Sequence, residues 1–409
     1  MTSRIRPNPW VSLFLPFALG YYLSYLLRTV NAVISPDLTR ELSLSAADLG
    51  LLTSAYFLTF GVAQIPLGIA LDRYGPRMVE CVLLLLAAAG AAAFALGDSL
   101  GQLGLARGLI GLGVSACLMA GLKGFAMWYP PERHSSMTGF LMAAGALGAL
   151  TASAPVEAAL PLLGWRGIFW VIAVLAVAIA VFLFMSLPPD APHGSNESLA
   201  ATLRSIGGIF GSAGFWRFAA SALFITGGFM AFQGLWAMPW LMNVNGLSRA
   251  AAANQLMVLN LGMLAGQLAI GFLGTRLARR GVRPVHLLQA GFSAMLLAEL
   301  MILMDWGPIA PVWFAFGLLV SVNAQAYLAA SAYFPQSAFG RVSTAVNLMV
   351  FAGAFAMQWG LGGIVDLLLD GGRDMSAALR ITFAGLLVVQ AASLLPILFG
   401  GRRAQTTTR

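Results

Sequence analysis

The sequence predicts an all-α membrane protein in which twelve transmembrane helices form two six-helix, pseudo-symmetric halves. Three observations support this fold class: the composition, the spacing of apolar runs and an internal repeat. Of the 409 residues, 59% are hydrophobic and only 9% are charged, whereas a soluble domain is about a quarter charged. Apolar runs of about 20 residues recur along the chain, which is the length that a bilayer-spanning helix needs.

Glycine, proline and charged residues divide the apolar runs into twelve spans. The first run is too long and too aromatic for a cleaved signal peptide, so we expect it to be retained. The spans, numbered 1 to 12, cover residues 11–35, 47–70, 78–97, 102–127, 137–162, 167–188, 214–242, 251–273, 284–304, 310–333, 342–368 and 376–400. A polar, proline- and serine-rich stretch follows span 6. It predicts an N-terminal half (1–188), a linker (189–213) and a C-terminal half (214–409).

Arginines concentrate on one side of these spans. With the N-terminus inside, the outer loops hold only Arg40, Arg166, Arg249, Arg373 and Arg380, and the inner segments hold Arg4, Arg6, Arg73, Arg77, Arg133, Arg204, Arg217, Arg276, Arg279, Arg280, Arg283, Arg341, Arg402, Arg403 and Arg409. Cytoplasmic loops carry such an excess. The pattern predicts a multi-pass protein of the inner (cytoplasmic) membrane with both termini in the cytoplasm. The net charge of +8 therefore indicates the lipid bilayer as partner, and no nucleic acid.

An internal repeat relates the two halves. The loop "GIALDRYGPR" (68–77) after span 2 aligns without gaps with "GTRLARRGVR" (274–283) after span 8. The shared positions are Gly68 with Gly274, Leu71 with Leu277, Arg73 with Arg279, Gly75 with Gly281, and Arg77 with Arg283. Duplicated six-span halves are typical of transporter folds that bind substrate at the membrane midplane.

The first of these loops resembles the loop 2–3 signature of the major facilitator superfamily, through Gly68, Asp72, Arg73, Gly75 and Arg77. The second resembles the weaker copy in loop 8–9, and "RGLIGLG" from Arg107 resembles the span-4 motif. The resemblance implies a gating role for both loops, with Asp72 pairing with arginines across the interface between the halves. It also implies a monomer. The alternative is that the loops only anchor the topology.

Arg28 lies inside the first apolar run, where an unpaired charge costs several kcal/mol and normally serves a function. Helical spacing places a polar stripe on this span, made of Ser24, Arg28, Asn31 and Ser35, with Tyr21 and Tyr25 beside it. The stripe predicts the wall of a water-filled cavity, and Pro36 is expected to end the helix. Alternatively, Arg28 points outward or pairs with Asp37.

Lys123, in span 4, is the single lysine of the chain. A desolvated lysine can bind an anion or exchange a proton. However, it lies about one turn from Trp128, so it can also reach the membrane interface without entering a cavity. Both positions stay open.

Span 1 resembles that of the organophosphate:phosphate antiporters, and "RTVN" resembles the Arg-x-x-Asn of the anion:cation symporters. The resemblance implies that Arg28 binds an anionic substrate and that Lys123 occupies a basic position of the antiporters. The antiporters carry a second arginine in span 7, where this sequence has Ala231. A carboxylate monoanion is therefore expected rather than a phosphate ester, since one guanidinium suits one carboxylate.

Neutral polar residues of the second half complete the predicted site. Those chosen as substrate-binding candidates are Gln233, Trp236, Asn347 and Gln358; further pore candidates are Thr226, Met230, Asn260, Asn323, Gln325 and Tyr327. Such amides can equally join helices to each other. Glu157, Glu299 and Asp366 are candidates for proton coupling, but protons, a counter-substrate or no coupling all remain open.

These observations predict a secondary active transporter that moves a small organic anion by alternating access. The sequence shows no catalytic cluster, so an enzyme is not expected, and neither a cofactor nor a metal is predicted. Cys81 and Cys117 have no ligand spacing, and the methionines do not cluster, which argues against copper transport. The alternative is a proton-driven exporter of amphipathic compounds, although 145–155 lacks the Gly-Pro-x-x-Gly-Gly pattern expected there.

Overall fold

The computed structural model of the protein describes residues 10–189, 199–335 and 338–399. Within these ranges ten helices are long and apolar enough to cross a bilayer. Gly75 divides one of them, Ala46–Leu96, into spans 2 and 3. Pro131–Thr151 continues into the first part of Ala154–Ser186, which changes direction at Gly164, and together these segments form spans 5 and 6. The twelve-span, all-α fold is thereby confirmed.

The α-helices have the following bounds in the described residues. They are α1 (Leu15–Leu42), α2 (Ala46–Leu96), α3 (Leu100–Gly113), α4 (Cys117–Trp128), α5 (Pro131–Thr151), α6 (Ala154–Ser186), α7 (Leu199–Phe210), α8 (Ala213–Ser221), α9 (Gly227–Ala231), α10 (Ala237–Asn243), α11 (Arg249–Arg279), α12 (Pro284–Leu303), α13 (Ile309–Val320), α14 (Ala324–Ser331), α15 (Phe339–Asp370) and α16 (Met375–Phe399). Span 4 comprises α3 and α4, and span 10 comprises α13 and α14. Span 7 comprises α8, α9 and α10, which are connected by π-helical turns at Ala222–Thr226 and Phe232–Trp236.

The prediction that Pro36 ends the first helix was wrong. Helix α1 continues through Pro36 to Leu42. Proline lacks the N–H that would bond to the carbonyl four residues earlier, that of Ala32. The Ser35 hydroxyl donates to this carbonyl instead, at 2.8 Å, so the helix loses no hydrogen bond on that side.

The predicted linker 189–213 lies only partly within the described residues, because 190–198 fall outside them. Its second part forms α7, in which Ile206 and Ile209 are buried. This helix packs against α15. The link between the halves is therefore helical over 199–210 rather than irregular throughout.

Glycine contacts reproduce the sequence repeat in three dimensions. A methyl group at Gly148, Gly353, Gly111 or Gly317 would lie 2.0–2.2 Å from a backbone carbonyl oxygen of a neighbouring span. These contacts join span 5 to span 1, span 11 to span 7, span 4 to span 2, and span 10 to span 8. Each contact in the first half has a counterpart six spans later. Close backbone approach at small residues is the usual way in which membrane helices pack.

The halves meet at one end of the bundle. We call the end where span 1 finishes and span 2 begins the closed end, and the opposite end, with loops 68–77 and 274–283, the motif end. At the closed end, the Asp366 carboxylate of span 11 accepts hydrogen bonds from the N–H groups of Ala46 (2.9 Å) and Ala47 (2.8 Å). Among the described residues, polar contacts between the halves lie at the closed end and mid-bundle. The halves are therefore clamped at that end.

Candidate functional site

Arg28 lies where spans 1, 2 and 11 meet, near the middle of the bundle. Its side chain is only 7% exposed. The guanidinium carbon lies 4.4 Å from the ring centroid of Tyr25, 5.3 Å from that of Phe60 and 5.5 Å from that of Phe351. Among the described residues no carboxylate pairs with it, and its Nε has no hydrogen-bond partner. Aromatic faces stabilise a cation, but the charge keeps its capacity to bind an anion.

Phenol and amide groups surround this guanidinium. The strongest interaction of Arg28 is with Tyr56 of span 2, whose hydroxyl also accepts a hydrogen bond from the guanidinium. Tyr21 and Tyr25 pack edge to face, with centroids 5.1 Å apart, and both interact electrostatically with Arg28, as does Tyr327 of span 10. The Tyr327 hydroxyl donates to Asn347 Oδ1 at 3.0 Å. Asn347 stands one turn before the Phe351 ring, on the same face of span 11. We call this group of side chains around Arg28, to which both halves contribute, the central chamber.

Ser24 and Asn31, the two polar neighbours of Arg28 on the stripe, have different surroundings. Ser24 is buried, and its hydroxyl donates to the Val114 carbonyl of span 4 at 3.5 Å. Asn31 is fully buried, and neither atom of its amide has a hydrogen-bond partner. Ser24 thus joins spans 1 and 4 within the first half. Asn31 differs, because its amide has no hydrogen-bond partner; span 1, on which it lies, packs against span 7.

Lys123 lies at the motif end and not in the central chamber. Its ammonium group donates to Asp72 Oδ1 at 2.5 Å and to the Leu71 carbonyl at 2.8 Å. Both partners belong to the first half. In this conformation Asp72 therefore pairs within its own half. Lys123 is about two and a half turns of span 4 from Val114, the residue that Ser24 contacts.

The second-half amides join helices together. Gln233 donates to Asn260 at 2.6 Å, and Asn260 in turn donates to Ser153 of span 5 at 2.9 Å. Trp236 donates to the Gln358 carbonyl at 3.3 Å. The Gln358 amide donates to the Thr53 hydroxyl of span 2 at 2.7 Å. In this conformation these side chains connect the halves on the closed-end side of the chamber.

The sequence profile of the Major Facilitator Superfamily matches residues 17–357. This chain belongs to that superfamily. Its fold resembles a crystal structure of a bacterial homologue of the human lysosomal transporter Spinster, in an inward-facing and unoccupied conformation. The TM-score is 0.73 at 18% sequence identity, and the match covers 96% of this chain and 97% of that one.

Two relatives within the superfamily come from Escherichia coli strain K12. The hexuronate transporter is 30% identical over 47% of this chain and 45% of its own length. The probable L-galactonate transporter is 31% identical over 45% of this chain and 40% of its own length. The chain therefore aligns with less than half the length of each of these relatives.

The superfamily loops adopt matching turns. Gly75 and Gly281 both have φ of 79°, a left-handed conformation that favours glycine. Arg77 donates to the Phe184 carbonyl of span 6 at 2.7 and 3.0 Å and lies over that ring. The remaining loop residues lie in or beside helix ends: Gly68 and Arg73 in α2, Gly274 and Arg279 in α11, and Arg283 directly before α12.

The acidic candidates for proton coupling have structural partners. Glu157 pairs with Arg249 at 2.8 Å, and Asp366 binds the first turn of α2. With its amide oriented to donate, Gln390 lies 2.9 and 3.1 Å from the oxygens of Glu299. Sequence analysis did not single out Phe60, Phe351 or the buried Glu80 of span 3. The two rings carry no polar signal, and Glu80 closely follows a charged loop, which makes it resemble a loop residue.

Proposed function

We propose that this protein is a secondary transporter that moves a small organic anion across the inner membrane by alternating access. The single observation that carries the proposal is the unpaired guanidinium of Arg28 in the central chamber. A buried charge without a counter-ion is costly, so its retention is explained if a substrate carboxylate supplies the missing partner. A carboxylate can accept two parallel hydrogen bonds from one guanidinium.

The groups around Arg28 suit a hydroxylated acid. Tyr21, Tyr25 and Tyr327 supply hydroxyls and Asn347 supplies an amide, all of which can bond to substrate hydroxyl groups. The names of the two relatives, a hexuronate and a galactonate transporter, denote polyhydroxy carboxylates of this kind. We therefore propose a sugar acid as substrate. Position 231, the place of the second arginine in phosphate-ester antiporters, is a buried alanine, which favours a monoanion.

We place the motif end in the cytoplasm, because the arginines of the connecting loops concentrate there and cytoplasmic loops carry such an excess. The described conformation would then be open inward and sealed outward. We further propose that residues 1–188 and 214–409 rock as two bodies, with loops 68–77 and 274–283 closing the motif end in the opposite state. We propose that the protein acts as a monomer.

Counterflow in proteoliposomes tests the substrate class. Purified protein is reconstituted with unlabelled glucuronate inside, and entry of labelled glucuronate is followed with competitors present. We expect competition by hexuronates and aldonates, and little by phosphate esters or lipophilic cations. Competition by lipophilic cations alone would contradict the anion proposal and favour the exporter of amphipathic compounds.

A further inference from the structure

Glu80, in span 3, is the only described carboxyl side chain that is fully buried. Its exposed fraction is 0%, and its carboxyl oxygens have no described hydrogen-bond partner other than the Cys117 thiol of span 4. No described cation forms an ion pair with it. An ionised carboxylate in such surroundings costs so much free energy that the group takes up a proton instead. Burial at this point therefore favours the protonated form of Glu80 over the ionised form.

A glycine makes room for this acid. A methyl group at Gly20 of span 1 would lie 2.2 Å from Glu80 Oε1, and 3.8 Å from the Cys117 sulfur of span 4. The carboxyl group thus occupies the point where spans 1, 3 and 4 meet. Any larger residue at position 20 would displace it.

The titratable and charged groups around Glu80 are few. Span 4 presents the Cys117 thiol, and Gly20 of span 1 lies against the carboxyl group. On its own span, the Cys81 thiol points to the Ala180 carbonyl of span 6, at 3.6 Å. Arg77, one turn away, donates to the Phe184 carbonyl. Among the described residues, no charged group contacts the carboxyl group of Glu80.

Span 1 links Glu80 to the central chamber. Gly20 and Arg28 are eight residues apart, about 12 Å along a helix, and a helical arginine directs its side chain toward the helix N-terminus, here toward Gly20. Cys117 interacts electrostatically with both Arg28 and Glu80. At an effective dielectric constant of about 20, two unit charges about 12 Å apart interact by about 1.4 kcal/mol. Each charge therefore changes the binding or protonation constant of the other group about tenfold.

We propose that Glu80 is the proton-binding site that couples this transporter to the proton gradient, an inference that rests on the proposed function. An empty Arg28 favours the ionised form of Glu80. A carboxylate bound at Arg28 cancels that charge, so anion binding and protonation of Glu80 favour each other reciprocally. One proton enters with one anion on the outer side. After the anion leaves at the motif end, the empty Arg28 again favours the ionised form of Glu80, and the proton leaves to water on the same side when helix movement opens the contact at Gly20.

The test compares the wild type with Glu80→Gln in proteoliposomes. Glutamine copies the protonated acid in size and charge. We expect Glu80→Gln to keep glucuronate counterflow but to lose accumulation driven by an acidic exterior. The matched control is Glu299→Gln, which removes the partly buried acid of span 9 and should leave both activities intact. Gradient-driven accumulation that persists in Glu80→Gln would overturn the proposal, whatever the control does.

A second measurement covers the case in which Glu80→Gln does not fold. Glucuronate is added to purified wild-type protein in weak buffer, and proton uptake is recorded with a pH dye. We expect proton uptake on binding, and a glucuronate affinity that falls about tenfold as Glu80 deprotonates. Counterflow with no proton uptake and no response to a pH gradient would overturn this proposal and leave the anion proposal standing. Absence of glucuronate and galactonate counterflow in the wild type would overturn both.

Discussion

Arg249, at the start of span 8, donates to both carboxylate oxygens of Asp37 in span 1, at 3.0 and 2.5 Å. Its Nε lies 2.8 Å from Glu157 of span 5, and it also donates to the Val33 carbonyl at 2.9 Å. One guanidinium from the second half therefore holds two carboxylates of the first half. Bidentate, partly buried pairs are stronger than exposed ones, so this arginine is the main ionic clamp of the closed end.

Replacing Arg249 with methionine should open the closed end, because Asp37 and Glu157 then repel each other and lose their shared cation. Spin labels at Thr39 and Arg373, on opposite halves, measure the opening by double electron–electron resonance. We expect a new population at longer distance.

The matched control is Arg40→Met. Arg40 pairs with the same Asp37 at 2.8 Å, but from within span 1 and with its side chain 80% exposed, so its loss should leave the distances unchanged. Identical distance distributions for wild type and Arg249→Met would show that the clamp does not hold the closed end.

Arg28→Lys should weaken glucuronate binding by about ten- to a hundredfold. Lysine keeps the charge but loses the planar pair of donors, and a hydrogen bond to a charged group contributes about 1.5–3 kcal/mol. The KM for counterflow measures the effect. Arg217→Lys, at the motif end, is the control and should keep the KM of the wild type. Unchanged KM in Arg28→Lys would remove the bidentate role.

Lys123→Gln should leave glucuronate affinity within about twofold of the wild type, because Lys123 pairs with Asp72 at the motif end and contacts no chamber residue. Isothermal titration calorimetry measures the affinity. A loss comparable to that of Arg28→Lys would instead place Lys123 in the binding site during the transport cycle.

Gly353→Ala should destabilise the protein by about 1–3 kcal/mol, the usual effect of overpacking, because the added methyl would lie 2.0 Å from the Leu223 carbonyl oxygen. Gly363→Ala in the same helix is the control. No described atom lies within 4 Å of the methyl position there, and alanine favours a helix over glycine by about 1 kcal/mol. Thermal unfolding in detergent should give a lower Tm for the first variant only.

The repeat and the spans were accessible to sequence analysis because they depend on local patterns. Loops 68–77 and 274–283 share residues at fixed spacing, and both Gly75 and Gly281 adopt the same positive φ. Arg28 could be singled out because a charge inside an apolar run is visible without coordinates. In contrast, spacing places Ser24 and Arg28 on one stripe, yet Ser24 packs against span 4. The stripe is about 60° wide on a helix of 3.6 residues per turn, and even so narrow a stripe can face two neighbouring helices.

The sequence by itself determined that this chain crosses the membrane as two repeated sets of helices and that the first of these helices carries an arginine inside its apolar run. Both follow from residue types and spacing along one helix. Only the tertiary structure decided that Lys123 pairs with Asp72, that Gln358 reaches Thr53, and that Glu80 is enclosed at Gly20. These depend on contacts between helices distant in sequence, because burial and pairing are properties of the packed bundle.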